Sequence, residues 1–198
     1  VSHGTISEHA FSGAGAFPSA PISLEEFRQM EQAAFFTPED VRHLRMSWEV
    51  LRDQVEVVLD VWYDFMAAYP FLLWAFSRES DGQPDQRYLD AVRQRFARWI
   101  ETTAQANYDQ QWLNEQYEIG LRHHRTAKNQ TDHVNAAEIV PFRFIVPLIS
   151  PLALTLKPFL AQKGHAPEQV EKMHQAWLKS LLLQVTLWSQ PYMKEGDF

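Results

Sequence analysis

The 198-residue chain contains no cysteine. That excludes a disulfide framework, a zinc–thiolate site and an iron–sulfur cluster, and it points to an intracellular, cytoplasmic setting. Basic residues are also scarce, with 18 Lys and Arg against 25 Asp and Glu, and no stretch concentrates them. A formal net charge of -7 is a poor footprint for nucleic acid, whose phosphates are held by clustered cations. The opening residues VSHGTISEHAF have neither the basic start nor the apolar run of a secretory signal. Charges interrupt the apolar runs, which predicts no membrane-spanning segment and no membrane partner. There is no glycine-rich phosphate loop, no GxSxG elbow and no HExxH pair, and neither a strand pattern nor an internal repeat is visible. A small molecule or a second protein chain is left as the partner.

What is present is apolar and aromatic. Hydrophobic residues make up 45% of the chain and include seven tryptophans, which suits a globular protein with one core. Residues 1–20, with Gly13, Gly15 and Pro18 among several Ser and Ala, read as an N-terminal arm, and residues 21–198 as a single domain. Ser23-Leu24-Glu25-Glu26 has the form of a capping box, and Thr37-Pro38-Glu39-Asp40 combines an N-cap, a first-turn proline and early acids. From the second of these, Val41, Leu44, Trp48, Leu51, Val55, Val58, Trp62 and Phe65 follow the alternating 3 and 4 spacing of a helical face, which predicts one helix running nearly to Tyr69. Further helices are expected through Leu89, Val92, Phe96 and Trp99, and through Trp112, Gln116, Ile119 and His123. A polar loop from Arg125 to Glu138 follows. Then comes an apolar helix through Phe142, Phe144, Leu148, Leu152 and Leu156, bent by Pro147 and Pro151, whose all-round apolarity predicts burial on several sides. The last helix is expected to start near Pro167 and end before Pro191. The fold class is all-α, with about seven or eight helices.

The chemistry concentrates at the adjacent pair His123 and His124, at the end of a helix whose apolar face His123 continues. A buried imidazole needs a partner, and a metal or a haem iron is one. Adjacent helical residues point about 100° apart, so both imidazoles cannot reach the same iron. A haem pocket between crossing helices asks for an apolar cavity and one axial histidine, but periodicity alone allows a core or helix-end histidine equally well. Glu171 and His174 have the i, i+3 spacing of di-iron bundles, but a second such pair is missing, and we read them as a solvated helix face.

The segments LRDQVEVVLDVWYDF, YLDAVRQRFARWI, YDQQWLNEQYEIGLRHHRTAKNQTD, KPFLAQKGHAPEQVEKMHQAWLKSLLLQVTLWSQPY and MKEGDF resemble the protoglobins, single-domain relatives of the globin-coupled sensors. The similarity covers roughly residues 35 to 198. It implies a globin-like 3-over-3 helical sandwich with an additional N-terminal helix. It also implies one haem b (iron protoporphyrin IX) per chain, binding of O₂, CO and NO, and a homodimer built mainly from the last two long helices. Residue by residue, the resemblance implies His123 as the iron ligand, with His124 outside the pocket. Trp62 and Tyr63 match a distal pair whose tyrosine donates to a bound diatomic, although periodicity alone reads Trp62 as seam packing and Tyr63 as an interface or surface residue. Phe96 matches a distal aromatic, one turn after Val92, which stands where many globins place a distal histidine. Arg95 is either a propionate partner or a solvated arginine, and Ile119 continues the face of His123 into the pocket. Leu148 stands where family members carry a second distal phenylalanine, which implies a roomier pocket.

The function implied is reversible binding of diatomic gases, as a sensor or a scavenger. A tyrosine with a pKa of ~10 is a poor acid or base for a peroxidase-like cycle. NO dioxygenation would need an electron donor, and no flavin or nicotinamide motif is visible. The alternatives are a haem enzyme, including peroxide, nitrite or engineered carbene-transfer chemistry, and a haem-free helical interaction module.

Overall fold

The computed structural model describes residues 17–198, so most of the arm expected at residues 1–20 lies outside the described residues. Among these residues the fold is entirely helical, with ten α-helices and only isolated β-bridges. They are α1 (Leu24–Ala33), α2 (Pro38–Leu51), α3 (Val55–Ala67), α4 (Pro70–Leu73), α5 (Gln86–Gln105), α6 (Gln110–His123), α7 (Lys128–Asp132), α8 (Phe142–Ile145), α9 (Ile149–Leu160) and α10 (Pro167–Ser189). The caps read from sequence are in place: Ser23 and Glu26 close a reciprocal capping box, and at the start of α2 Asp40 accepts from both the Thr37 N–H and the Thr37 hydroxyl. The long helices form two layers, α2, α5 and α6 over α3, α9 and α10.

The helix expected from Thr37 to Tyr69 is divided. At Gln54 the backbone N–H turns back to Leu51 O, and the Gln54 side chain donates to Val50 O at 2.7 Å. Lys163, from the loop before α10, donates to Glu49 O at 2.7 Å and pairs with Asp53 at 2.6 Å. The helix end is therefore satisfied by side chains, and the chain restarts as α3 with the heptad-like face nearly in phase, so Leu44, Leu51 and Val58 are all buried. Periodicity does not register such a break, because the apolar spacing passes through it unchanged.

Two further expectations are corrected. The Arg125–Glu138 stretch holds a short helix, α7. The apolar segment Phe142–Leu160 has a mean hydropathy of 1.4 and is long and apolar enough to cross a membrane, because Arg143 and Lys157 are its only charges. In the fold it is interrupted between α8 and α9, around Pro147, and Leu154 is 73% exposed, so its apolarity does not mean burial on every side.

Three tryptophans tie the layers together through their indole N–H groups. Trp177 of α10 donates to Ser47 Oγ of α2 at 2.8 Å, Trp99 of α5 to Gln184 Oε1 of α10 at 2.5 Å, and Trp188 of α10 to Gln116 Oε1 of α6 at 2.9 Å. Each satisfies its one donor, with Trp99 and Trp177 buried and Trp188 half-buried. At the α6–α10 crossing, a Cβ on Gly120 would lie 3.1 Å from the Trp188 Cα and carbonyl oxygen, so any larger residue would push the α10 backbone away by a few tenths of an ångström. That crossing sets the position of His123, one turn further on.

Candidate functional site

Between the layers lies a cavity of about 230 Å³, walled by α3 and α4 on one side, α5 and α6 along its length, and the α8–α9 segment and α10 on the others. Trp62, Met66, Val92, Phe96, Leu148 and Leu152 give its wall an apolar character, interrupted by a few charged groups from α5, α6 and α7.

His123 lines this cavity from the last residue of α6. Its Nδ1–H donates to Ile119 O at 2.7 Å, one turn back, which fixes the tautomer and leaves Nε2 with a free lone pair and, among the described residues, no hydrogen-bond partner. Burial pulls the imidazole pKa down, so the ring is neutral near pH 7. Trp188 stacks against it, with centroids 6.0 Å apart and planes 15° apart. The backbone holds the helix end in turn, since Val140 N–H donates to His123 O at 2.8 Å. Among the described residues no group of three or more His, Cys, Asp or Glu could hold a bare metal ion. One neutral imidazole on the wall of an apolar cavity does fit an apolar metallated plate that brings its own in-plane ligands.

The structure gathers Trp62, Val92, Arg95, Phe96, Ile119, His123 and Leu148 around one cavity. Trp62 and Phe96 meet edge to face at 4.9 Å and 88°. Tyr63 does not line it: its hydroxyl faces Leu89 O at 3.4 Å, a long hydrogen bond, and Arg93 lies over its ring at 5.5 Å. Burial pushes the Tyr63 hydroxyl up to about 12, so it stays protonated, able to donate. His124 turns away from the cavity, with its Nδ1 2.7 Å from Thr126 Oγ1. His174 Nε2 lies 2.8 Å from Ala153 O, between α10 and α9, and belongs to no metal cluster.

Arg95 is held by a bidentate pair with Asp132, at 2.8 and 2.6 Å. Two cationic wall residues escape sequence reasoning. Arg122 pairs with Glu118 at 2.6 Å, while its Nε is buried without a partner. Lys128 is almost fully buried, donates to Ala75 O at 2.7 Å and lies 5.2 Å over the Tyr88 ring; burial pulls its ammonium down to about 8. In the sequence it sits in the polar run RTAKNQTD, where a lysine reads as solvated, and no local signal reveals its burial.

A family model described as Protoglobin matches residues 23–198. The globin domain of the Geobacter sulfurreducens globin-coupled sensor superposes with a TM-score of 0.64 at 15% identity, covering 84% of this chain and 97% of that one. At that identity the likeness establishes the shared globin fold. No functionally curated protein matches the sequence.

Proposed function

Since the chain belongs to the protoglobin family, we propose that it is a haem b protein that reversibly binds diatomic gases, with His123 as the axial ligand. The observation that carries this reading is the His123 imidazole itself: neutral, oriented by Ile119 O, and offering an unpartnered Nε2 to an apolar cavity. When bound, haem would supply an iron able to take O₂, CO or NO, with His123 holding it. The protein's part is to hold the ring at a fixed angle, through the Ile119 bond and the Trp188 stack, and to keep water from the apolar wall of Trp62, Val92, Phe96 and Leu148. That wall supports binding over turnover, because those four side chains offer no acid or base near neutral pKa for heterolytic chemistry. Tyr63 enters the reading as a protonated donor close to the pocket, one that must leave Leu89 O to reach a ligand.

Sensing or scavenging is the role in view. A homodimer through α9 and α10 belongs to the same reading, supported by Leu154 and Leu182, which these helices leave 73% and 57% exposed. Sedimentation at monomer mass across a broad concentration range would remove the dimer. A cytoplasmic setting is proposed on the absence of cysteine.

The deciding experiment is the absorption spectrum after haem reconstitution, in the ferric, dithionite-reduced and CO-bound states. The expected result is a stoichiometric Soret band that becomes an imidazole-ligated ferrous–CO spectrum. Absence of a stoichiometric band would overturn the haem reading and leave a helical interaction module.

A further inference from the structure

Two cations on the cavity wall carry donors that the protein does not use. An ammonium has three N–H groups. Lys128, 1% exposed, gives one of them to Ala75 O and, among the described residues, forms no ion pair. Asp132, one helical turn away, already has both oxygens committed to Arg95 at 2.8 and 2.6 Å. Arg122 uses its terminal nitrogen on Glu118, and its Nε is buried and unpaired. Both residues line the cavity, Arg122 next in sequence to His123 and Lys128 in the first turn of α7. Arg95, the cation that the sequence singled out, has its guanidinium matched by both oxygens of Asp132, whereas Arg122 has a single contact to Glu118.

A buried charge with one neutral acceptor is costly unless a counter-charge arrives, and an unpaired buried guanidinium N–H adds to the cost. The other charges on the wall, Arg95 and Asp132, are committed to each other, so the counter-charge has to come with the occupant. We propose that Lys128, together with Arg122, forms a carboxylate-binding end of the cavity and that on the haem reading it receives a propionate of the porphyrin. The inference rests on that reading for the identity of the carboxylate. The low pKa of Lys128 agrees with it, because an ammonium so placed is held short of a partner. Asp132 then plays a separate part, neutralising Arg95 and keeping that side chain off the carboxylate.

The test compares equilibrium binding of ferric protoporphyrin IX with that of its dimethyl ester, which has the same plate and iron but no carboxylates, by absorption titration of the apoprotein. The native protein should prefer the diacid about ten- to hundredfold, the range expected for a hydrogen bond between charged groups. Lys128→Met should shrink that preference several-fold, and Arg122→Gln should shrink it by a smaller factor. Equal binding of the two porphyrins by the native protein would overturn the carboxylate site while leaving the haem reading intact. Failure to bind either porphyrin would overturn both. A preference that is undiminished in both variants would overturn the assignment to Lys128 and Arg122. The native comparison requires no variant, so misfolding of Lys128→Met does not shield the proposal.

Discussion

On the α6–α10 side of the cavity, each group near His123 is held by something remote in sequence. Gly120 lets α6 approach the Trp188 backbone, Trp188 donates to Gln116 and stacks on the imidazole, and Val140 closes the helix end. On the α4–α8 side, Phe71 and Trp74 stand about half exposed, Val146 is exposed beside a helix break, and α4 and α8 are four residues each. One side is over-determined and the other is loosely covered. Such a contrast agrees with the function proposed above, because rigidity is needed only where the orientation of His123 matters and local opening is cheapest where few contacts hold the backbone.

The contrast can be broken most completely at His123. His123→Ala should abolish stable haem binding, read as loss of the Soret band after gel filtration, while leaving the helical circular dichroism intact. Retained stoichiometric haem with an unchanged spectrum would move the ligand elsewhere. The next largest effect is expected at Gly120, where Val must displace the Trp188 backbone. Gly120→Val should destabilise the apoprotein by about 1–3 kcal/mol in denaturant melts. An unchanged midpoint would mean that α6 and α10 are free to separate, and the rigid side would not be rigid.

Lys128 sharpens the comparison through pH. Its folded-state pKa, about 8, lies below the ordinary lysine value of 10.5. Below pH 8 the ammonium is charged in both states and its burial cost is fully present. Between 8 and 10.5 the unfolded chain binds more protons, so the apoprotein should gain stability as pH rises, by about 1–3 kcal/mol. Thermal melts from pH 7 to pH 10 check this, and Lys128→Met should flatten the slope. An identical slope in the variant would mean that Lys128 is solvated in solution.

The smallest effect is expected on the wall that includes Leu148. Leu148→Phe adds an aromatic ring to the cavity wall and should weaken imidazole binding to the ferric protein about three- to tenfold, on the order of 1 kcal/mol. Unaltered affinity and rate would remove the idea that leucine makes this pocket roomier.

Much of the frame was legible in sequence. The caps at Ser23 and Thr37, the stripe from Leu44 to Val58, and the end of α10 before Pro191 all depend on neighbours within a turn or two, and they stand where the pattern put them. That His123 faces the cavity was legible because it continues the face of Trp112, Gln116 and Ile119, and the family resemblance singled it out over His124 as the ligand proposed here. What was illegible involves partners far apart in the chain. The division of α2 from α3 is completed by Lys163, more than a hundred residues later, and the turn of Tyr63 toward Leu89 depends on how α3 lies on α5.

The sequence by itself determined an all-helical protoglobin chain with one histidine placed to face a cavity, because helix caps, apolar period and motif identity are local properties of neighbouring residues. Tertiary structure alone decided which charges that cavity contains. Lys128 is buried only because α7 folds under the turn that follows α4, so that Ala75 O meets its ammonium, and Arg95 is neutralised only because α7 presents Asp132 to it. Burial and pairing of a charge are set by whichever elements happen to surround it, and nothing in the residues on either side of a lysine records that.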